Sequence, residues 1–182
     1  METFFWVVVA LWLILDLYVL FARNRDLRNI ADWKSKFVII ASVSSGVTLA
    51  VIPEDFRLSW LVRERFTAVH HVGVVLMVGG ITLRLLAIRT LGKYFTPDIA
   101  LVEGQRIVTT GVYRFLRHPS YTGELLAFGG VALVFWHFPS SLYIFLFPLL
   151  GFLYRALLEE RKLLEFFGEE YREYMRRTRR FI

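Results

Sequence analysis

The chain has 182 residues, of which 56% are hydrophobic and 16% aromatic, and its formal charge is +6. That apolar content argues against a soluble domain of this length. With no cysteine there are no disulfides, thiol nucleophiles or Cys-based metal sites, and His70, His71, His118 and His137 show no metal-ligand spacing, so no metal site is expected. The basic residues flank apolar runs, which the positive-inside rule explains without a nucleic-acid partner.

Thr3 to Ala22 is apolar apart from Asp16 and long enough to span a bilayer core. It lacks the basic start and small-residue cleavage site of a signal peptide, so it reads as a first span. Asp16 is costly in lipid and is expected to face the bundle and pair with a polar or basic neighbour. A basic loop follows, with Arg23, Arg25, Arg28, Lys34 and Lys36. Phe37 to Ile52 is a short second span closed by Pro53, and Ser42, Ser44, Ser45 and Gly46 suit close helix packing. In the next loop Phe56, Trp60 and Leu61 read as interfacial. Val69 to Ile88 is the third span, with Gly73, Gly79 and Gly80 for close packing. Arg84 is expected to snorkel to the headgroups, and His70 and His71 to lie at the interface.

Arg89 to Ser120 is a long polar connector broken by Gly92, Pro97, Gly104 and Gly111. A small hairpin around Glu103-Gly104-Gln105 is expected. A loop of this length usually has a job, here laying the backbone of Val108 to Gly111 against a ligand. Tyr121 to Phe138 is the fourth span, Pro139-Ser140-Ser141 a tight turn, and Leu142 to Leu158 the fifth span with a kink at Pro148. This helical hairpin returns Glu159-Glu160 to the face where Arg117-His118 lie. The tail from Glu159 is amphipathic and broken at Gly168, with Arg172, Arg176, Arg177, Arg179 and Arg180 directed at anionic headgroups. Five spans put all the basic segments on one side. That side is expected to be cytoplasmic, with the N-terminus outside.

Gly111 to Gly123 reads GVYRFLRHPSYTG. Pro119 lacks an N–H and disfavours helix at His118, so it is expected to open a helix. The free N–H groups there suit an anion. Arg117, His118 and Tyr121 converge on that helix start, and Glu124 follows one turn on.

With the paired Glu159-Glu160 and the tail FGEEYREYMRRT, this stretch resembles the isoprenylcysteine carboxyl methyltransferases, and more broadly the membrane methyltransferases that include the phospholipid N-methyltransferases. The resemblance covers Leu91 to Ile182. Hydropathy gives an all-α polytopic membrane protein of five transmembrane helices, with residues 1–90 as three N-terminal helices, and the resemblance makes 91–182 the catalytic region. The connector, the start of the fourth span and the C-terminal helices would build a cytoplasmic site for S-adenosylmethionine. It further implies cofactor contacts from Val108, Gly111, Val112, Arg117, His118, Pro119, Tyr121 and Leu125, and catalytic roles for Arg155, Glu159 and Glu160. The acceptor would be lipophilic, most like a prenylated cysteine whose carboxylate is methylated. A carboxylate acceptor needs no base, so Arg155 would bind it and Glu159 would orient Arg155. An amine acceptor would need Glu159 or Glu160 as the base. Three other readings stay open at this point: a phospholipid N-methyltransferase, an NADPH-dependent sterol-type reductase (the RHPxYxG motif followed by Glu124 is also similar to those enzymes), and a non-enzymatic scaffold.

Overall fold

Long apolar runs satisfy their own backbone polar groups as helices, and the chain follows that rule. The computed structural model describes residues 2–21, 33–51, 68–97, 99, 104–135 and 138–181. They form α1 (Glu2–Phe21), α2 (Trp33–Val51), α3 (Ala68–Leu91), α4 (Pro119–Phe135), α5 (Phe138–Phe167) and α6 (Glu169–Arg177). Short 3-10 turns occur at Gly92–Tyr94 and Gly111–Arg114. Among the described residues there is no strand, and the sole isolated bridge is a parallel one between Leu116 and Arg179. The protein is all-helical. The Ala68–Tyr94 and Ser140–Phe167 segments are long and apolar enough to cross a membrane, and Thr3–Val19 and Lys36–Leu49 are shorter apolar helices.

The helices meet closely at small residues, the packing that transmembrane helices use. On α3 and α4, Gly80 faces Gly123 and Gly73 faces Gly130 in an antiparallel crossing. A Cβ on any of the four would run into the opposite backbone. On α2 and α5, Gly46 lies against the backbone of Tyr143, and Gly151 against Ser42. Gly79 meets nothing within 4 Å, so it does not take the packing role expected of it. The interior joins Phe5, Val8 and Trp12 of α1 to Met77 of α3, Leu125 and Phe128 of α4 and Phe152 of α5. Outward, Leu11, Ile14, Phe37, Val75 and Leu150 are each more than half exposed. That apolar exterior fits a bilayer as solvent.

Several boundaries differ from the expectation. Pro139, Ser140 and Ser141 lie in the first turn of α5, so they do not form the turn before it. Proline is tolerated there because the first N–H groups of a helix have no partner in any case. Glu159 and Glu160 do not begin a separate tail. They sit inside α5, which runs unbroken for 30 residues to Phe167. Gly168, at φ 55°, then breaks the run as expected, in a left-handed conformation that favours glycine. Arg84 does not snorkel: it is buried and paired between Asp16 and Glu124. Residues 104–110 form no strand, and the other arm of the expected hairpin, apart from Ile99, lies outside the described residues, as do the loops at 22–32 and 52–67.

Candidate functional site

The site begins at the start of α4. Pro119 is its first residue, and the His118 carbonyl accepts from the Thr122 backbone N–H at 2.9 Å and from its hydroxyl at 3.1 Å. The end of the described chain lies alongside. Arg117 N donates to Arg179 O at 2.8 Å, His118 N to Arg180 O at 3.3 Å, and Arg179 N to Phe115 O at 3.0 Å. The α4–α5 hairpin returns α5 to this point, and Glu159 and Glu160 arrive beside the motif from opposite sides of His118. His118 Nδ1 is 3.6 Å from Glu159 and Nε2 is 3.3 Å from Glu160, both electrostatic contacts. The His118 ring stacks on Tyr121 with centroids 5.3 Å apart and planes 5° from parallel.

The two glutamates do different things, because neighbours on a helix point about 100° apart. Glu160 is buried and surrounded by cations. Arg117 Nε donates to it at 2.8 Å and Arg180 at 2.7 Å. Arg117 also donates to the carbonyls of Met175 (2.9 Å) and Thr178 (2.5 Å). This knot fastens α6 and the following residues to α4. Arg180 was expected at the headgroups but closes on Glu160, which in turn pushes the Arg180 guanidinium pKa up. Glu159 accepts from the Tyr121 hydroxyl at 2.8 Å and keeps a third of its side chain exposed. Arg155 Nε donates to the same hydroxyl at 2.9 Å, and its guanidinium also donates to Pro97 O at 2.5 Å. Arg155 and Glu159 are thus joined through Tyr121.

These groups line a cavity of about 980 Å³, at the upper end of the range for small-molecule sites. Of the residues singled out in the sequence, Val108, Arg117, His118, Tyr121, Arg155 and Glu159 are in its wall. Gly111, Val112, Pro119, Leu125 and Glu160 are not; Leu125 is packed into the hydrophobic core. Gly111, at φ 57°, lies against Thr90 and starts the turn that buries Tyr113. The lining also takes in apolar side chains, among them Ile39, Ile40 and Val43 of α2 with Phe128 and Phe152.

Sequence reading missed Phe152 as a wall residue, although it sits on one helical face with Arg155 and Glu159 (i, i+3, i+7). It also missed the carbonyls of Pro97 and Ile99, which bind Arg155 and Lys162; no side-chain pattern signals a backbone acceptor. Tyr171 and Tyr174 of the amphipathic tail reach the cavity as well. Burial pushes the phenols of Tyr113 and Tyr171 well up, helped by the nearby Glu159 charge. Tyr174 is pushed up to about 12, chiefly by burial, and donates to Tyr113 O at 2.7 Å.

Comparison with known proteins gives one family and a consistent set of relatives. Residues 68–170 match the family model described as phospholipid methyltransferase. A probable protein-S-isoprenylcysteine O-methyltransferase of Oryza sativa subsp. indica is 31% identical over 170 residues, covering 88% of this chain and 85% of its own. The protein-S-isoprenylcysteine O-methyltransferase B of Arabidopsis thaliana is 34% identical over 112 residues, 60% of this chain and 57% of its own. The Saccharomyces cerevisiae protein-S-isoprenylcysteine O-methyltransferase is 38% identical over 106 residues, 57% of this chain and 44% of its own.

Proposed function

This chain belongs to the phospholipid methyltransferase family and is a methyltransferase, and from that premise we propose that it moves a methyl group from S-adenosylmethionine to a lipophilic, isoprenylcysteine-type carboxylate at the membrane–cytosol boundary. The observation that carries the reading is the Arg155–Tyr121–Glu159 relay in the lining of a cavity that combines polar and apolar side chains. A polar cofactor and a greasy acceptor need both kinds of lining. The residues present fit a sulfonium cofactor: the carboxylate of Glu159 and the ring faces of Tyr121 and Phe152 suit a cationic centre. When bound, S-adenosylmethionine supplies an electrophilic methyl group.

The protein's own task is positioning and water exclusion. Arg155 is the buried cation that holds the acceptor carboxylate, and Tyr121 and Glu159 fix its direction. A carboxylate acceptor is ionised at neutral pH and loses no proton in the reaction. His118 and the start of α4 take the cofactor, with Val108 at the connector side. Glu160 and Arg117 act through the tail they fasten, as positioning residues.

On this reading all five long helices span the bilayer, with the N-terminus outside and α6 in the cytoplasm. Residues 1–90 then supply the lipid-side wall, and residues 91–182 form the catalytic region. The charge distribution supports that orientation. The family model's description favours a second reading, N-methylation of a phospholipid amine, in which Glu159 would take a proton.

Calorimetry with S-adenosylhomocysteine on detergent-purified protein, with NADPH in a parallel cell, tests the cofactor. Labelled methyl transfer to N-acetyl-S-farnesylcysteine, set against phosphatidylethanolamine, tests the acceptor. Binding of NADPH alone would overturn the reading, and transfer only to the phospholipid would move it to the second.

A further inference from the structure

The cavity has a second polar station that the transfer reaction does not use. Tyr121, Glu124 and Phe128 lie on one face of α4 at i, i+3 and i+7, and all three line the cavity. The station is centred on Glu124, roughly 4.5 Å further along the helix axis than Tyr121. Arg84 of α3 is buried there and ion-pairs with both Glu124 and Asp16 of α1, the latter at 3.1 Å. Trp12 Nε1 donates to Glu124 Oε2 at 3.1 Å.

Pairing three helices would account for these contacts, but not for what is left over. Among the described residues Arg84 Nε is buried with no hydrogen-bond partner, while Asp16 Oδ1 and Glu124 Oε1, also buried, meet Arg84 as ion pairs without a hydrogen bond. A buried donor without a partner is costly, and the cost is removed if a ligand supplies an acceptor. Beside it, Asp16 keeps 32% of its side chain exposed, and both residues line the cavity. One free donor next to one accessible carboxylate is a complementary pair. A single hydroxyl satisfies both, accepting from Arg84 Nε and donating to Asp16. A plain hydrocarbon chain satisfies neither.

We propose that Asp16 and Arg84 form a specificity subsite for a hydroxyl on the acceptor, about one helical turn from the group that is methylated. This rests on the methyltransferase reading above and narrows its acceptor to a hydroxyl-bearing lipid. Asp16 and Arg84 act on acceptor choice, not on the transferring bond.

Two probes differing by one hydroxyl test it: N-acetyl-S-farnesylcysteine and its N-hydroxyacetyl counterpart, which puts the hydroxyl at about that separation from the carboxylate. Calorimetric Kd values are measured on the full chain in detergent, with labelled methyl transfer followed in parallel. The expected result is at least tenfold tighter binding of the hydroxylated probe, the low end for a hydrogen bond to a charged group. The ratio should fall towards one in Asp16→Asn. If that variant does not fold, Asp16→Glu replaces it, with the carboxylate displaced by one methylene and the ratio again reduced. Equal Kd values in the unmodified protein overturn the subsite, as does a ratio that survives both variants, or binding of neither probe. Transfer to both probes without preference sinks the subsite alone. A binding preference without any transfer sinks the methyltransferase reading of this cavity and leaves the subsite standing.

Discussion

The Tyr121 hydroxyl donates to Glu159 at 2.8 Å while accepting from Arg155 at 2.9 Å. One oxygen thus fixes both an anion and a cation at the cavity wall. Tyr121→Phe removes that oxygen and leaves the ring stacked on His118. Hydrogen bonds to charged groups contribute about 1.5–3 kcal/mol, so kcat/KM for methyl transfer should fall roughly tenfold to a hundredfold. The thermal midpoint in detergent should move little. A variant with normal kcat/KM would remove the relay from the mechanism.

The adjacent glutamates should separate cleanly. Glu160→Gln leaves the buried Arg117 short of its counter-ion, and breaking a buried pair costs about 3–5 kcal/mol. The expected outcome is a lowered thermal midpoint and earlier proteolysis after Gly168. Glu159→Gln alters a partly exposed side chain. It should keep the midpoint and lose transfer. The opposite pattern would exchange the two roles.

Packing of α3 on α4 gives a third test. A Cβ at Gly80 would meet the Gly123 carbonyl and the Ala127 backbone nitrogen. Backbone cannot swing aside, so Gly80→Ala should cost about 1–3 kcal/mol. Gly79→Ala, with nothing within 4 Å, should not destabilise. Denaturation of both variants in the same detergent decides; equal effects would mean that the crossing is looser than described.

Tyr174 carries the pH prediction. Burial raises its pKa from 10.0 to about 12. The fold therefore keeps the phenol neutral while the unfolded chain ionises it first. Its contribution is fully present below pH 10.0 and is lost as pH rises to about 12. Limited proteolysis of α6 across that window should show release of the tail, and Tyr174→Phe should shift the onset upward. Release at an unchanged pH in Tyr174→Phe would assign it to another group.

Local chemistry explains how much of this was legible beforehand. Pro119 fixes where α4 begins, and a short connection between two apolar runs makes them antiparallel, so the meeting of His118 and Tyr121 with Glu159 and Glu160 follows from sequence. The partition of labour between the glutamates does not, since which of two neighbours faces the cavity depends on the rotation of α5. Arg84 was out of reach for a similar reason. Its position near the end of an apolar helix fits snorkelling equally well, and only the arrival of α1 and α4 puts Asp16 and Glu124 beside it. Asp16 was better constrained, because a carboxylate in lipid must find a partner.

The bridge between Leu116 and Arg179 also bears on biosynthesis. Residues 115–118 are made before residues 179–180, so the helices can form while Arg117, His118 and Glu160 still await the segment that closes on them. Helix assembly can therefore precede closure of the site, and a chain cut before Arg179 would keep the helices but lack the backbone bonds that Arg117 and His118 make to residues 179–180.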